Sequence, residues 1–166
     1  MSVTSLIELL ERLDDSHRQM LDLAASKKQA IMTNNIDQLT EILTKESRLM
    51  KLSGQLEKER EQAAYTFLQS VGIRSNLQLN LTELSRLVFD PDDKARLLHI
   101  QGQLADTLSR LKKANELNQR LIEQSLDFID YSLDLLVGRP SQEVTYQHPA
   151  SGPVALKRPG LFDARG

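Results

Sequence analysis

A chain of 166 residues, 40% of them hydrophobic, is long enough to bury a core of its own; with four Phe, three Tyr and no Trp, that core must be mostly Leu and Ile, as in a helix bundle. A net charge of −2, from 21 basic and 23 acidic side chains scattered along the chain, gives no electrostatic reason to bind a phosphate backbone or anionic lipid. The lack of cysteine excludes disulfides, thiolate metal sites and a cysteine nucleophile.

The opening stretch MSVTSLIELLERLDD has no basic leader and acquires acids at Glu8 and Glu11, so it does not read as a secretory signal. No apolar run reaches the ~18 residues of a membrane helix. These features place the protein in the cytoplasm. Ser5 and Glu8 have capping-box spacing, which predicts the first helix from about residue 5 to 33. Its seam reads Leu6, Leu10, Leu13, His17, Met20, Ala24 and Ile31, alternating three and four except for a last step over Lys27 and Lys28. Asn34 and Asn35 close it: asparagine tolerates the left-handed backbone that ends a helix, and Asn35 with Gln38 repeats the capping spacing.

The second helix is predicted from 36 to 71, carrying Ile36, Leu39, Ile42, Leu43, Leu49, Leu52, Leu56, Ala63 and Phe67 and stopping at Val71-Gly72. Gly54 inside it reads as a tolerated weak point rather than a hinge. A looser segment follows, in which Asn80 or Thr82 can cap a short helix over 81–89 with Leu81, Leu84, Leu87 and Val88 inward. Asp90-Pro91-Asp92-Asp93 then opens the longest helix: a carboxylate at the cap, proline where its missing N–H costs nothing, and acids at the positive end of the dipole. That helix is predicted over 91–137, about 70 Å at 1.5 Å per residue, ending at Gly138 with Pro140 beyond.

Four of the five prolines fall after Gly138, and residues 139–166 hold no sustained period, so they read as a mobile tail with apolar islands at Val144 and Tyr146, Val154 to Leu156, and Leu161-Phe162. The expected architecture is all-α: an elongated antiparallel three-helix bundle over 1–138, with a short connecting helix and a flexible C-terminal tail. Should the tail fold over an apolar face of the body, those islands would be its anchors.

Within the longest helix the stripe Leu104, Leu108, Leu111 continues onto two amides, Asn115 and Asn118, before resuming at Ile122, Ile129, Leu133 and Leu136. The amides read either as a buried pair that sets helix register or as partner contacts. Beyond them Leu121, Ile122, Leu126, Phe128, Ile129, Leu133, Leu135 and Leu136 cover more than one face, more than neighbouring helices can bury.

Nothing in the sequence converges on catalysis. His17, His99 and His148 lie on three different segments, and His17, on a seam, reads as a partly buried, hydrogen-bonded histidine. Asp14 and His17 have the i, i+3 spacing of a carboxylate–histidine metal pair, but a di-metal bundle needs a second such pair and the chain has none. Phosphate loops, nucleophile elbows and His-Glu-x-x-His are missing, and so is the aromatic-interleaved basic groove of a nucleic-acid binder. We therefore expect no enzyme, no cofactor, no metal, no nucleic acid and no membrane insertion.

The segment ANELNQRLIEQSLDFIDYSLDLLVG, with VTY after a short spacer, resembles the FlgN-like family of flagellar export chaperones. The match is carried by Asn115, Asn118, Leu121, Ile122, Ser125 and Leu126, then Thr145 and Tyr146; the first hairpin fits through Asn35 to Leu39, Lys45-Glu46 and Glu59-Arg60. The tail beyond Tyr146 follows the family only in bearing Gly and Pro. The resemblance implies a type III secretion chaperone that binds the C-terminal segments of hook-filament junction proteins, keeps them unpolymerised and delivers them to the flagellar export gate. Under it, Leu121, Ile122, Leu126, Phe128, Ile129, Leu133 and Leu136 form the client groove, with Tyr146 a further contact to client or gate. The competing expectation from the stripe alone is a structural scaffold, with the same leucines as the seam of a homodimer or larger homo-oligomer.

Overall fold

The computed structural model describes residues 2–74 and 79–138, in which every regular element is a helix: α1 (Ser2–Met32), α2 (Ile36–Ser70), α3 (Leu81–Ser85) and α4 (Pro91–Val137). By its internal contacts the chain divides into two units, Met1–Ile122 and Glu123–Gly166. The expected tail over 139–166 lies outside the described residues.

Helix ends follow from local chemistry. α1 closes with Asn34 at φ 52°, the Asn35 N–H donating to the Ala30 carbonyl (2.9 Å) and the Asn34 N–H to that of Ile31 (3.3 Å), which satisfies carbonyls the helix would otherwise orphan. Asn35 then caps α2, its side chain accepting from the Gln38 N–H at 3.0 Å. The return half of a capping box has no donor left, because the Asn35 N–H is already given to Ala30. α2 ends the same way: Gly72 at φ 88°, its N–H on the Gln69 carbonyl (3.1 Å) and that of Ile73 on Leu68 (2.9 Å). At α3 the box is complete, Asn80 accepting from the Glu83 N–H and Glu83 from the Asn80 N–H, each at 2.9 Å.

Two bounds differ by more than one residue from the sequence expectation. α1 starts at Ser2, not Ser5, because Val3 is buried in the core and the helix extends to place it there. α3 stops at Ser85; Arg86, Leu87 and Val88 donate three residues back, a tighter turn. The chain must leave helical geometry there, since Asp90 precedes a proline and its side chain takes the N–H groups of Asp92 (2.8 Å) and Asp93 (3.2 Å).

In the first unit α1 and α2 run antiparallel: Arg12 pairs with Glu59, Ser16 with Ser53 and Lys27 with Glu46, numbers falling on α2 as they rise on α1. α4 runs parallel to α1, Glu11 meeting Arg96, Asp14 meeting Thr107 and Ala24 meeting Asn118. One core, made of Val3, Leu6, Ile7 and Leu10 of α1, Phe67 and Leu68 of α2, Leu84 and Val88, and Leu97 and Ile100 of α4, joins these elements. Leu81 and Leu87 pack on it half-buried.

Candidate functional site

The buried face of α4 is set by polar groups. Asp14, 4% exposed, accepts from the Thr107 hydroxyl at 2.7 Å and from the Arg18 guanidinium at 2.8 Å. Asn118, 3% exposed, donates its amide to the Ala24 carbonyl at 2.9 Å, while its own oxygen finds no partner. The inward line on α4 is therefore Leu97, Ile100, Leu104, Thr107, Leu111, Ala114 and Asn118, an unbroken alternation of three and four. The sequence count through Leu108 and Asn115 runs beside it, and both of those residues are exposed. The two amides thus part company, Asn118 inside and Asn115 in solvent.

On α1 the step over Lys27 is filled by Lys27 itself, whose ammonium meets Glu46 of α2 at 3.0 Å with both side chains mostly covered. His17 is half-buried with its Nδ1 buried and unpartnered, where the sequence suggested a hydrogen-bonded ring. Burial lowers its pKa from 6.5, opposed by the charges of Asp14 and Glu57. Asp14 is committed to Thr107 and Arg18, and among the described residues no group of three or more His, Asp or Glu is placed to hold a metal. A cleft of ≈ 840 Å³ beside α2 is lined by Lys58, Arg60, Glu61, Tyr65, Leu68 and Leu84 among others, with no histidine, serine or threonine among its described lining.

The other end of α4 is apolar and open. Leu126 is 55% exposed, Phe128 69%, Ile129 51%, Leu133 52% and Leu136 82%, with Tyr131, Leu135 and Val137 exposed as well. Of the remaining predicted groove residues, Leu121 is half-buried and Ile122 is at the margin of exposure; Tyr146 lies outside the described residues. The exposed side chains do not make one surface. Leu126, Ile129, Leu133 and Leu136 recur at three, four and three and share a face, whereas Phe128, Tyr131 and Leu135 lie roughly half a turn away at 3.6 residues per turn.

A family model described as FlgN protein matches residues 1–152. The chain belongs to the FlgN family. A similar protein is the uncharacterized protein YvyG of Bacillus subtilis (strain 168), 33% identical over 137 residues, or 82% of each chain. No solved structure matches. FlgN proteins are flagellar chaperones, so the functional question is which surface of this one takes the partner. No helix among the described residues is long and apolar enough to cross a membrane. Thr107, Ser16 and Ser53 are structural anchors with only a faint signal in the sequence: Thr107 stands four residues from Leu111 and three from Leu104, a polar side chain at an inward position.

Proposed function

We propose that this FlgN-family chain is a cytoplasmic export chaperone of flagellar type III secretion, built as a three-helix bundle, that binds the C-terminal helical segments of hook-filament junction proteins, keeps them unpolymerised and delivers them to the export gate. The observation that carries the reading is the open apolar end of α4, where Leu126, Ile129, Leu133 and Leu136 form one seam in solvent. An amphipathic client helix presents anchors at the same recurrence, so seam can meet seam without any cofactor. The free energy comes from burying apolar surface, about 25 cal/mol per Å² before ordering costs are subtracted. Phe128, with Tyr131 and Leu135, offers a second contact row. Tyr146 is a further contact to client or gate, and Asn115, in solvent beside the buried Asn118, is free to face a partner.

Titration of the protein with C-terminal segments of hook-filament junction proteins tests this, with a Leu126→Asp/Ile129→Asp variant alongside. We expect saturable one-to-one binding that weakens at least ~100-fold in the variant while helix content and unfolding midpoint hold, because exposed positions contribute little to the fold. Loss of helicity in the variant, or wild-type protein that binds no such segment, would remove the assignment.

A further inference from the structure

We propose that the seam on the last turns of α4 selects its partner by charge: it takes an amphipathic helix whose apolar stripe is flanked by lysine or arginine, and it rejects a second copy of itself. The inference rests on the chaperone reading for the client's identity, but its grounds lie in Glu123–Val137. That stretch has four acidic residues, Glu123, Asp127, Asp130 and Asp134, and no basic one, whereas the chain as a whole is nearly balanced. The acids recur at four, three and four. Three of them immediately follow a seam residue: Asp127 after Leu126, Asp130 after Ile129 and Asp134 after Leu133. On a helix this draws a continuous acidic line along one edge of the apolar seam. The opposite edge carries Ser125 and Ser132.

Local helix energetics do not account for the acids. Carboxylates near a helix C-terminus face the negative end of the dipole, and the last turn of α4 contains no basic residue. A helix end that is apolar on one face and acidic along one edge is complementary to a partner that brings the cations. The seam from Leu126 to Leu136 spans about 15 Å, so the complementary stretch is about three helical turns.

Homotypic pairing fails on the same geometry. Take Leu126 and Leu133 as positions a, with Ile129 and Leu136 as d, so that Asp130 falls at e and the serines at g. Antiparallel pairing of two copies of this segment sets e against e, Asp130 against Asp130; parallel pairing sets it against serine. Neither brings an opposite charge, and the seam discriminates by what it repels as well as by what it holds.

The test uses three synthetic helical peptides of identical apolar 3-4 spacing, flanked along one edge by Lys, Gln or Glu, titrated into the full chain. We expect the Lys peptide to bind about tenfold or more tighter than the Glu peptide, with Gln between, from a few partly exposed ion pairs acting together. That gap should close in Glu123→Gln/Asp127→Asn/Asp130→Asn/Asp134→Asn, a variant whose helix the dipole argument leaves intact, and should narrow at high salt. A Leu126→Ser/Ile129→Ser/Leu133→Ser variant, its acids retained, should bind none of the three. Equal affinity for the Lys and Glu peptides, no binding of any peptide, or Lys-peptide binding that survives loss of the leucines each overturns the proposal. So does a stable dimer at micromolar concentration whose seam is Leu126–Leu136. The two claims fail separately: junction-protein segments that bind with no charge preference would leave the chaperone and remove the selection, and a charge-selective seam that ignores those segments would do the reverse.

Discussion

Thr107 and Asp14 illustrate how one hydroxyl positions a helix. The carboxylate is almost wholly covered, yet it keeps the Arg18 guanidinium and the Thr107 hydroxyl, so its desolvation is compensated from two elements. Thr107→Val preserves shape and removes one donor, and should cost about 1–2 kcal/mol in urea unfolding. Combined with Asp14→Ala the two changes should be less than additive, with a coupling of about 1 kcal/mol; strict additivity would show that the contact carries no stability. His17 provides a pH signature nearby. Burial holds its folded pKa below 6.5, against the pull of Asp14 and Glu57, so the unfolded chain takes up the proton more readily. Its contribution to stability is complete above the unfolded value and is lost as pH falls through the lowered folded one. Urea midpoints at about pH 7.5 and about pH 5.5 should therefore differ more for the wild type than for His17→Gln, and an unchanged difference would assign the acid sensitivity elsewhere.

At the scale of the element, two glycines make opposite demands. Gly54 lies inside α2 with nothing within 4 Å of where a Cβ would stand, so Gly54→Ala should stabilise by ~0.5–1 kcal/mol through the lost freedom of the unfolded chain. Gly72 also has open space, but its φ of 88° closes α2, and Gly72→Ala should destabilise by about 1 kcal/mol. Thermal unfolding of the pair separates backbone freedom from steric room, since space alone would predict the same sign for both. The helix ends were legible because each is a short-range event: Asn34-Asn35, Val71-Gly72 and Asp90-Pro91 carry their own donors, acceptors and φ preferences. The start of α1 was not, because Val3 is drawn into the helix by a core made of distant residues.

For the whole molecule, burial and exposure divide along α4. Leu97 and Ile100 are in the core, whereas from Leu126 to Val137 each large apolar side chain is exposed. A helical stretch of this length has little stability without packing, so amide exchange over residues 126–137 should be faster than over 97–111 by orders of magnitude. Saturation with a helix-forming client segment should slow exchange selectively in the first stretch; uniform protection along α4, with or without partner, would contradict the open seam. This is also where the proposed function meets the fold: apolar surface offered to another chain is not spent on the protein's own core.

The sequence by itself determined the helical class, the capped ends, the resemblance to the FlgN family and an apolar excess after Asn118, because composition, caps and periodicity act over a few neighbouring residues. Tertiary structure alone decided which of two interleaved lines turns inward. Steps of three and of four are nearly equivalent on an α-helix, so Leu104 leads as well to Leu108 and Asn115 as to Thr107 and Ala114. Only the carboxylate of Asp14 and the carbonyl of Ala24, contributed by α1, break the tie, burying Thr107 and Asn118 and leaving Leu108 and Asn115 in water.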